Sequence, residues 1–226
     1  MITPDSTAFL VDVDNTLLNN DHIQADLRLH MEREFGAACR DRYWAILEEL
    51  FTELGYCDYL GALQRYRAER PREIHLLSMS SYLVDYPFAN RLYPQALDVL
   101  ERFRNWGPTA ILSDGDVVFQ PRKVERSGIS EAVNGHVLIY IHKEQELADV
   151  EQRYPARHYV LVDDKPRILA AVKQIWGNRV TTVLPRQGQY ANDARVVASL
   201  PPADVTVERI GELLDYDFPT LVKKSS

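Results

Sequence analysis

The sequence predicts an α/β fold: a three-layer, doubly wound parallel sheet with a small all-helical cap inserted after the first strand. Short apolar runs rich in strand-forming residues recur along the chain, and helical patterns alternate with them. The alternation is interrupted between residues 18 and 88, where only helical periodicity is found. We therefore expect a core of residues 1–17 and 89–226 and a cap of residues 18–88.

Five segments have the composition of buried strands, and their apolar runs are nearly continuous rather than alternating. Strands covered on both faces look like this, which favours a parallel sheet. The segments are residues 7–12, 108–113, 136–141, 158–163 and 179–184. A short edge strand is predicted at 203–207. Right-handed crossovers between such strands place ligands beyond their carboxyl ends.

Helices are predicted in two groups. Those between the strands are expected at residues 93–106, 120–127, 144–154 and 167–176, and those of the cap at 22–35, 39–54, 58–69 and 73–83. Gly36, Gly55 and Pro71 separate the cap patterns. After the last main strand, residues 187–202 are polar and turn-rich, a helix is expected through Leu214, and residues 218–226 are expected to fray.

Composition excludes several classes of protein. Hydrophobic residues make up 46% of the 226 residues and charged residues 26%, as in ordinary globular proteins. The net charge of −7 has the sign opposite to that of a typical nucleic-acid binder, and no apolar run is long enough to cross a bilayer. We expect neither a nucleic-acid nor a membrane partner. Two cysteines, Cys39 and Cys57, suit a reducing compartment, so a cytoplasmic location is predicted; the oligomeric state stays open.

Polar residues suited to chemistry lie at or just after the ends of four predicted strands. Asp12-Val-Asp14-Asn-Thr16 directly follows the first. Two carboxylates there are costly unless a cation compensates them, and oxygen ligands favour Mg²⁺ over zinc or copper. A solvated turn is the simplest alternative. A calcium-binding EF-hand loop does not fit, because its sixth position, a Gly in that motif, is Leu17 here.

This segment resembles the first motif of the haloacid dehalogenase superfamily, an apolar strand followed by Asp-x-Asp-x-Thr. The resemblance implies that Asp12 is a nucleophile that forms an aspartyl-phosphate. It further implies that Asp14 acts first as an acid and then as a base, and that its backbone carbonyl binds the metal. Thr16 would orient the Asp14 carboxylate through a hydrogen bond.

The segments at Ser113 and Lys143 resemble the second and third motifs of that superfamily. Ser113 is then expected to hydrogen-bond the transferring phosphoryl group, and Lys143 to neutralise Asp12 and the phosphate. A serine at a strand end is often only a helix cap, so Ser113 alone is weak evidence. Lys123 is a rival for the basic role because it is nearer to Ser113 in sequence. The matching strand end favours Lys143.

The paired acids Asp163 and Asp164 follow another apolar strand and resemble the fourth motif. By that resemblance Asp163 ligates the metal directly, and Asp164 does so through water or holds a water ligand. Val162 stands where the family often has Gly. The implied cofactor is Mg²⁺, and its implied ligands are Asp12, Asp14, Asp163 and Asp164.

Together these motifs imply a magnesium-dependent phosphatase that acts on a small phosphate monoester. Halide-removing relatives need no metal and typically lack the second Asp of the first motif, so Asp14 argues for phosphoryl chemistry. Phosphonate-cleaving relatives form a Schiff base with a cap lysine, and residues 18–88 contain no Lys. A phosphomutase or phosphotransferase stays open, as does a non-catalytic binding protein with the same fold.

The cap sequence combines arginines with interleaved aromatic residues. These side chains could bind an anionic or ring-shaped leaving group, but we prefer to interpret them as a solvated helical face and a small apolar core. The arginines are Arg28, Arg33, Arg40, Arg42, Arg65, Arg67, Arg70 and Arg72, and the aromatic residues are Tyr43, Trp44, Tyr56, Tyr59, Tyr66 and Tyr82.

Overall fold

A six-stranded parallel sheet forms the centre of the computed structural model, which describes residues 6–72 and 76–222. The strands lie in the order β3-β2-β1-β4-β5-β6, and each neighbouring pair is parallel. They are β1 Thr7–Val11, β2 Thr109–Asp114, β3 Val137–Tyr140, β4 His158–Val162, β5 Val180–Pro185 and β6 Val205–Val207. Every predicted strand is present, and the predicted fold class is confirmed.

Both faces of the sheet are covered by apolar side chains. Successive residues of a strand point to opposite faces, so Phe9 and Val11 join one buried cluster while Ala8 and Leu10 join the other. Phe9 is fully buried and stacks on Phe103, with ring centroids 4.6 Å apart. Burial on both sides explains why the apolar runs of the sequence are continuous.

Four helices follow β1 and form the cap. They are α1 Asn20–Phe35, α2 Ala37–Leu54, α3 Tyr59–Glu69 and α4 Leu76–Asp85; residues 73–75 of the predicted fourth helix lie outside the described residues. Asn19 caps α1 by accepting a hydrogen bond from the His22 amide, and Asp58 caps α3 in the same way from Gly61. These helices share an apolar cluster, which Phe119 of the core also joins. The exact boundaries of the cap, at 17/18 and 88/89, stay a prediction.

The remaining helices lie in the crossovers and the tail. They are α5 Ala96–Trp106, α6 Phe119–Arg126, α7 Ile129–Ala132, α8 Leu147–Arg153, α9 Pro166–Trp176, α10 Gly188–Asn192, α11 Ala194–Ala198 and α12 Phe218–Val222. The helix predicted through Leu214 is a 3-10 helix, Ile210–Asp215. Sequence periodicity missed α7, α10 and α11 because each is too short for an amphipathic pattern. No helix in the described ranges has the length and apolar character needed to span a membrane.

The expectation that residues 218–226 fray was wrong for residues 218–222. These form α12, and Phe218 is only 7% exposed. Its ring lies 5.8 Å from that of Trp106 and 6.5 Å from that of Phe9. Residues 223–226 lie outside the described residues. Packing against the sheet orders a segment whose own five-residue helix would be unstable.

We predict that Phe218→Ala lowers the free energy of unfolding by about 3 kcal/mol, because it opens a cavity between α12 and the aromatic cluster. Thr220→Ala, an exposed substitution in the same helix, should change it by less than about 0.5 kcal/mol. Urea denaturation followed by circular dichroism measures both values. Equal stability of the two variants would contradict the packing of α12.

Candidate active site

Three acidic residues meet at the carboxyl ends of the two central strands. The β1–β4 register brings Asp12 beside Asp163, and the Asp12 amide donates to the Val162 carbonyl at 2.9 Å. Asp12, Asp163 and Asp164 are at most 1% exposed. One oxygen atom from each lies within 4.8 Å of the others. Parallel strands thus gather acids that are far apart in sequence.

Several of these carboxylate oxygens have no hydrogen-bond partner among the described residues. They are Oδ2 of Asp12 and both oxygens of Asp164. Asp163 accepts a hydrogen bond from the Lys165 amide at 2.8 Å through Oδ1. Buried polar atoms normally have partners, so three unpartnered oxygens on two of these clustered acids fit the ligand set of a hard cation. The donor set therefore suits Mg²⁺ chemically.

Lys143 joins two of the acids. Its ammonium group is fully buried and lies 2.5 Å from Oδ1 of Asp12 and 2.7 Å from Oδ2 of Asp163, and it also donates to the Leu112 carbonyl at 3.1 Å. Burial alone would lower the pKa of Lys143, but the charges of Asp12 and Asp163 raise it above its ordinary value. The amino group therefore stays charged.

The paired acids are hard to ionise together. Burial raises the pKa of Asp163 to about 6, against the lowering effect of Lys143. Burial, followed by the charges of Asp163 and Asp12, raises the pKa of Asp164 well above its ordinary value. Both effects arise because the carboxylates are desolvated and close to one another. A bound cation would relieve this repulsion.

The contacts of Asp14 and Thr16 differ from those predicted. The Asp14 carboxylate lies 2.6 Å from Nζ of Lys123, which also donates to Oδ1 of Asn20 at 3.1 Å. The Thr16 hydroxyl accepts a hydrogen bond from the Asp164 amide at 3.0 Å. These contacts replace the predicted hydrogen bond from Thr16 to Asp14. Lys123 pairs with Asp14, and Thr16 connects the loop after β1 to the loop after β4.

Asp14 also lies outside the trio of acids whose oxygens converge. Its carboxylate is 25% exposed and is paired with Lys123. The predicted contribution of Asp14 to metal binding was its backbone carbonyl, and that contribution stays a prediction.

Ser113 is buried near the end of β2, where Nε2 of Gln120 donates to its hydroxyl at 3.0 Å. A Cβ atom at Gly115 would lie 2.5 Å from Cβ of Gln120, so only glycine leaves room for this contact. Asp114 accepts a hydrogen bond from the Lys143 amide at 2.7 Å, and burial raises its pKa. The end of β2 thus carries Ser113 and, through Asp114, also positions Lys143.

A cavity of about 320 Å³ lies between the acids and the cap. From the core it is lined by Asp14, Asp114, Asp164 and Lys165 among others. The cap side is uncharged and includes Gln24, Phe51, Tyr56, Cys57 and Tyr59. The eight cap arginines, all within the described ranges, do not line it; for example, Arg42 and Arg65 form surface ion pairs with Glu69 and Glu53.

Sequence reasoning missed two residues of this site and undervalued a third. Lys165, which directly follows the acid pair in sequence, lines the cavity. Gln120, which supports Ser113, carried no recognisable signal. Lys123 was considered as a rival to Lys143, yet both reach the site: Lys143 contacts Asp12, and Lys123 contacts Asp14.

Comparison with solved structures decides the family. A protein described as a haloacid dehalogenase-like hydrolase, from Burkholderia xenovorans LB400, is 64% identical; the match covers 95% of this chain and 97% of that one, with a TM-score of 0.90. The chain belongs to the haloacid dehalogenase-like hydrolases. The predicted membership of the haloacid dehalogenase superfamily is confirmed.

More distant members of the family share the fold. A haloacid dehalogenase-like hydrolase of Bacillus subtilis, whose structure contains magnesium, is 16% identical, with a TM-score of 0.62 over 93% of this chain and 98% of that one. The L-2-haloacid dehalogenase of Xanthobacter autotrophicus, with chloropropionic acid covalently bound, is 19% identical, with a TM-score of 0.58 over 91% and 96%. A scan against protein-family models and a search of curated proteins each found no match.

We predict that Lys143→Met lowers the free energy of unfolding by about 3–5 kcal/mol in the presence of EDTA, because two buried carboxylates lose their shared cation. The matched control is Arg179→Met, which removes one partner of a surface pair with Glu151 and should cost less than about 1 kcal/mol. Chemical denaturation of both variants provides the comparison. A Lys143→Met protein as stable as the control would show that the buried pairs are not formed.

Proposed function

We propose that this hydrolase is a magnesium-dependent phosphatase that cleaves a small phosphate monoester through an aspartyl-phosphate on Asp12. The observation that carries the proposal is the trio of buried acids beside a buried lysine, with unpartnered oxygens on Asp12 and Asp164. The presence of Asp14, a second acid two residues after the nucleophile, supports phosphoryl transfer over halide removal, since a phosphatase needs a proton donor for its leaving group.

Magnesium would be held by Asp12, Asp163 and Asp164, with the Asp14 backbone carbonyl as a further ligand. When bound, it would offset the negative charge that accumulates when a carboxylate approaches a phosphoryl group. The positive charge of Lys143 would also offset this negative charge, because its ammonium group contacts Oδ1 of Asp12.

In the first step, an oxygen of the Asp12 carboxylate attacks phosphorus. A P–O bond forms as the bond to the leaving oxygen breaks, and that oxygen takes the electron pair together with a proton from Asp14. Ser113 would donate to a non-bridging oxygen, and the charge of Lys143 would offset the negative charge of Asp12 and of the phosphoryl group. Lys123 would keep Asp14 aimed at the leaving group through its 2.6 Å contact.

In the second step, Asp14 removes a proton from water, whose oxygen attacks the phosphorus of the aspartyl-phosphate. The bond between phosphorus and Asp12 breaks, its electron pair returns to the carboxylate, and inorganic phosphate leaves. Asp14 ends protonated, ready for the next substrate.

The cavity supports a small-molecule substrate. Its volume of about 320 Å³ is at the lower end of the range for ligand pockets, and its cap side carries aromatic and amide groups without charge. We infer that the leaving group is a small uncharged alcohol.

A cytoplasmic location is also proposed, on the sequence evidence of only two cysteines in 226 residues.

The proposal predicts phosphate release from a panel of small phosphate monoesters that requires Mg²⁺ and disappears in Asp12→Asn. Asp14→Asn should lower kcat by about 10²- to 10⁴-fold, the contribution typical of a general acid and base. The same panel should include 2-chloropropionate, with chloride release as the readout. Metal-independent chloride release without phosphate release would replace this proposal by dehalogenation.

We also predict that Mg²⁺ stabilises the folded protein by about 2.7 kcal/mol at a concentration a hundred times its Kd, as expected for a ligand that binds only the native state. Asp164→Asn should lose most of this gain. Asp98→Asn, an exposed acid on α5, should keep it. Thermal unfolding with Mg²⁺ and with EDTA tests the assignment, which fails if both variants respond like the wild type.

A further inference from the structure

The active site contains three lysines, and two of them are occupied. Nζ of Lys143 contacts Asp12 and Asp163, and Nζ of Lys123 contacts Asp14. Each of these amino groups also donates to a neutral oxygen, the Leu112 carbonyl or the Asn20 side chain. Their hydrogen-bonding capacity is therefore largely used within the protein.

Lys165 is different. It lies between Asp164 and the first turn of α9, and its side chain lines the cavity. Among the described residues, no acceptor forms a hydrogen bond or ion pair with its Nζ, although its backbone amide donates to Asp163. An ammonium group has three N–H donors, so all three of Lys165 remain free for a ligand.

The surroundings of Lys165 point to an anion as that ligand. After burial, the groups that influence the pKa of Lys165 most are Asp12, the proposed nucleophile, which raises it, and Lys143, which lowers it; Asp163 and Asp164, which would bind the metal, raise it further. The facing cap residues Tyr56 and Cys57 are uncharged at neutral pH, since burial raises the pKa of both side chains. An anion that approaches Asp12 through this cavity therefore meets Lys165 without competition from a carboxylate of the cap.

Arg167, two residues further along, does not serve the same purpose. Its guanidinium group forms an ion pair with Glu144 and its side chain is 59% exposed, so it lies at the rim rather than inside. Within the described part of the cavity wall, Lys165 is then the cation that has no protein partner.

We propose that Lys165 is a second phosphate-binding lysine of this site, donating to a non-bridging oxygen of the phosphoryl group while Lys143 holds the nucleophile. This inference rests on the proposed phosphatase function. It makes Lys165 a catalytic residue that selects for a doubly charged phosphoryl group, because a substrate with less negative charge gains less from the second ammonium group.

The test uses inorganic phosphate as the probe, in Mg²⁺, with isothermal titration calorimetry on the full chain. Lys165→Met should weaken phosphate binding at least tenfold, because it removes a strong charged hydrogen bond. Lys165→Arg should restore the affinity to within about threefold of the wild type, because a guanidinium group can replace the ammonium group as a charged donor. Arg195→Met removes the same charge from a side chain that is 94% exposed and should bind phosphate like the wild type.

Two further readouts separate phosphate binding from other roles of Lys165. The Kd for Mg²⁺ alone should be unchanged in Lys165→Met, whereas a lysine that organises the metal site would change it. With a substrate from the panel, kcat/KM should fall at least tenfold in Lys165→Met and recover in Lys165→Arg. Unfolding temperatures of all variants confirm that each protein is folded.

The outcomes also separate this inference from the proposed function. If the wild type binds phosphate and Lys165→Met binds it equally well, the role of Lys165 is overturned while the phosphatase proposal stands. Equal weakening in Lys165→Met and Arg195→Met would also overturn it, since only net charge would then matter. If the wild type binds no phosphate in the presence of Mg²⁺, the phosphatase proposal itself fails.

Discussion

The burial of Asp12 and Asp163 against one ammonium group, that of Lys143, is the constraint on which the rest of the site depends. Such buried ion pairs add little net stability, because desolvation of the charges costs about as much as their attraction returns. The stability needed to hold them comes from elsewhere. Apolar side chains such as Phe9 and Leu10 pack on opposite faces of the same strand and fix its position.

Sheet topology explains why the acids converge. The chain adds β2 and β3 on one side of β1 and then crosses to the other side for β4, so the ends of β1 and β4 form a crevice at the point where the strand order reverses. Asp12 and Asp163 lie there in register. The hydrogen bond from the Asp164 amide to the Thr16 hydroxyl then connects the two loops.

Sequence patterns could predict the sheet and the acids, because both depend on local features. A continuous apolar run that ends in an acid predicts both a buried strand and a candidate site residue at its carboxyl end, as at Asp12 and Asp163. Side-chain pairings between distant segments have no such signature. Nothing in the sequence indicates that Lys123, on α6, reaches Asp14, or that Phe218 packs on Phe9, since both contacts depend on how separate elements pack.

The charges of the site account for the different surroundings of its lysines. Its carboxylates outnumber its lysines by two: the acids are Asp12, Asp14, Asp114, Asp163 and Asp164, and the lysines are Lys123, Lys143 and Lys165. Under the proposed function, a divalent cation offsets that excess. A phosphoryl dianion then restores the excess of negative charge, apart from the one proton that Asp14 carries when it acts as the acid. A lysine already held by a carboxylate could meet the dianion only by leaving a buried acid unpaired, which is costly. Lys165 carries no such penalty, and it is therefore the amino group able to bind the substrate without disturbing the site that activates it.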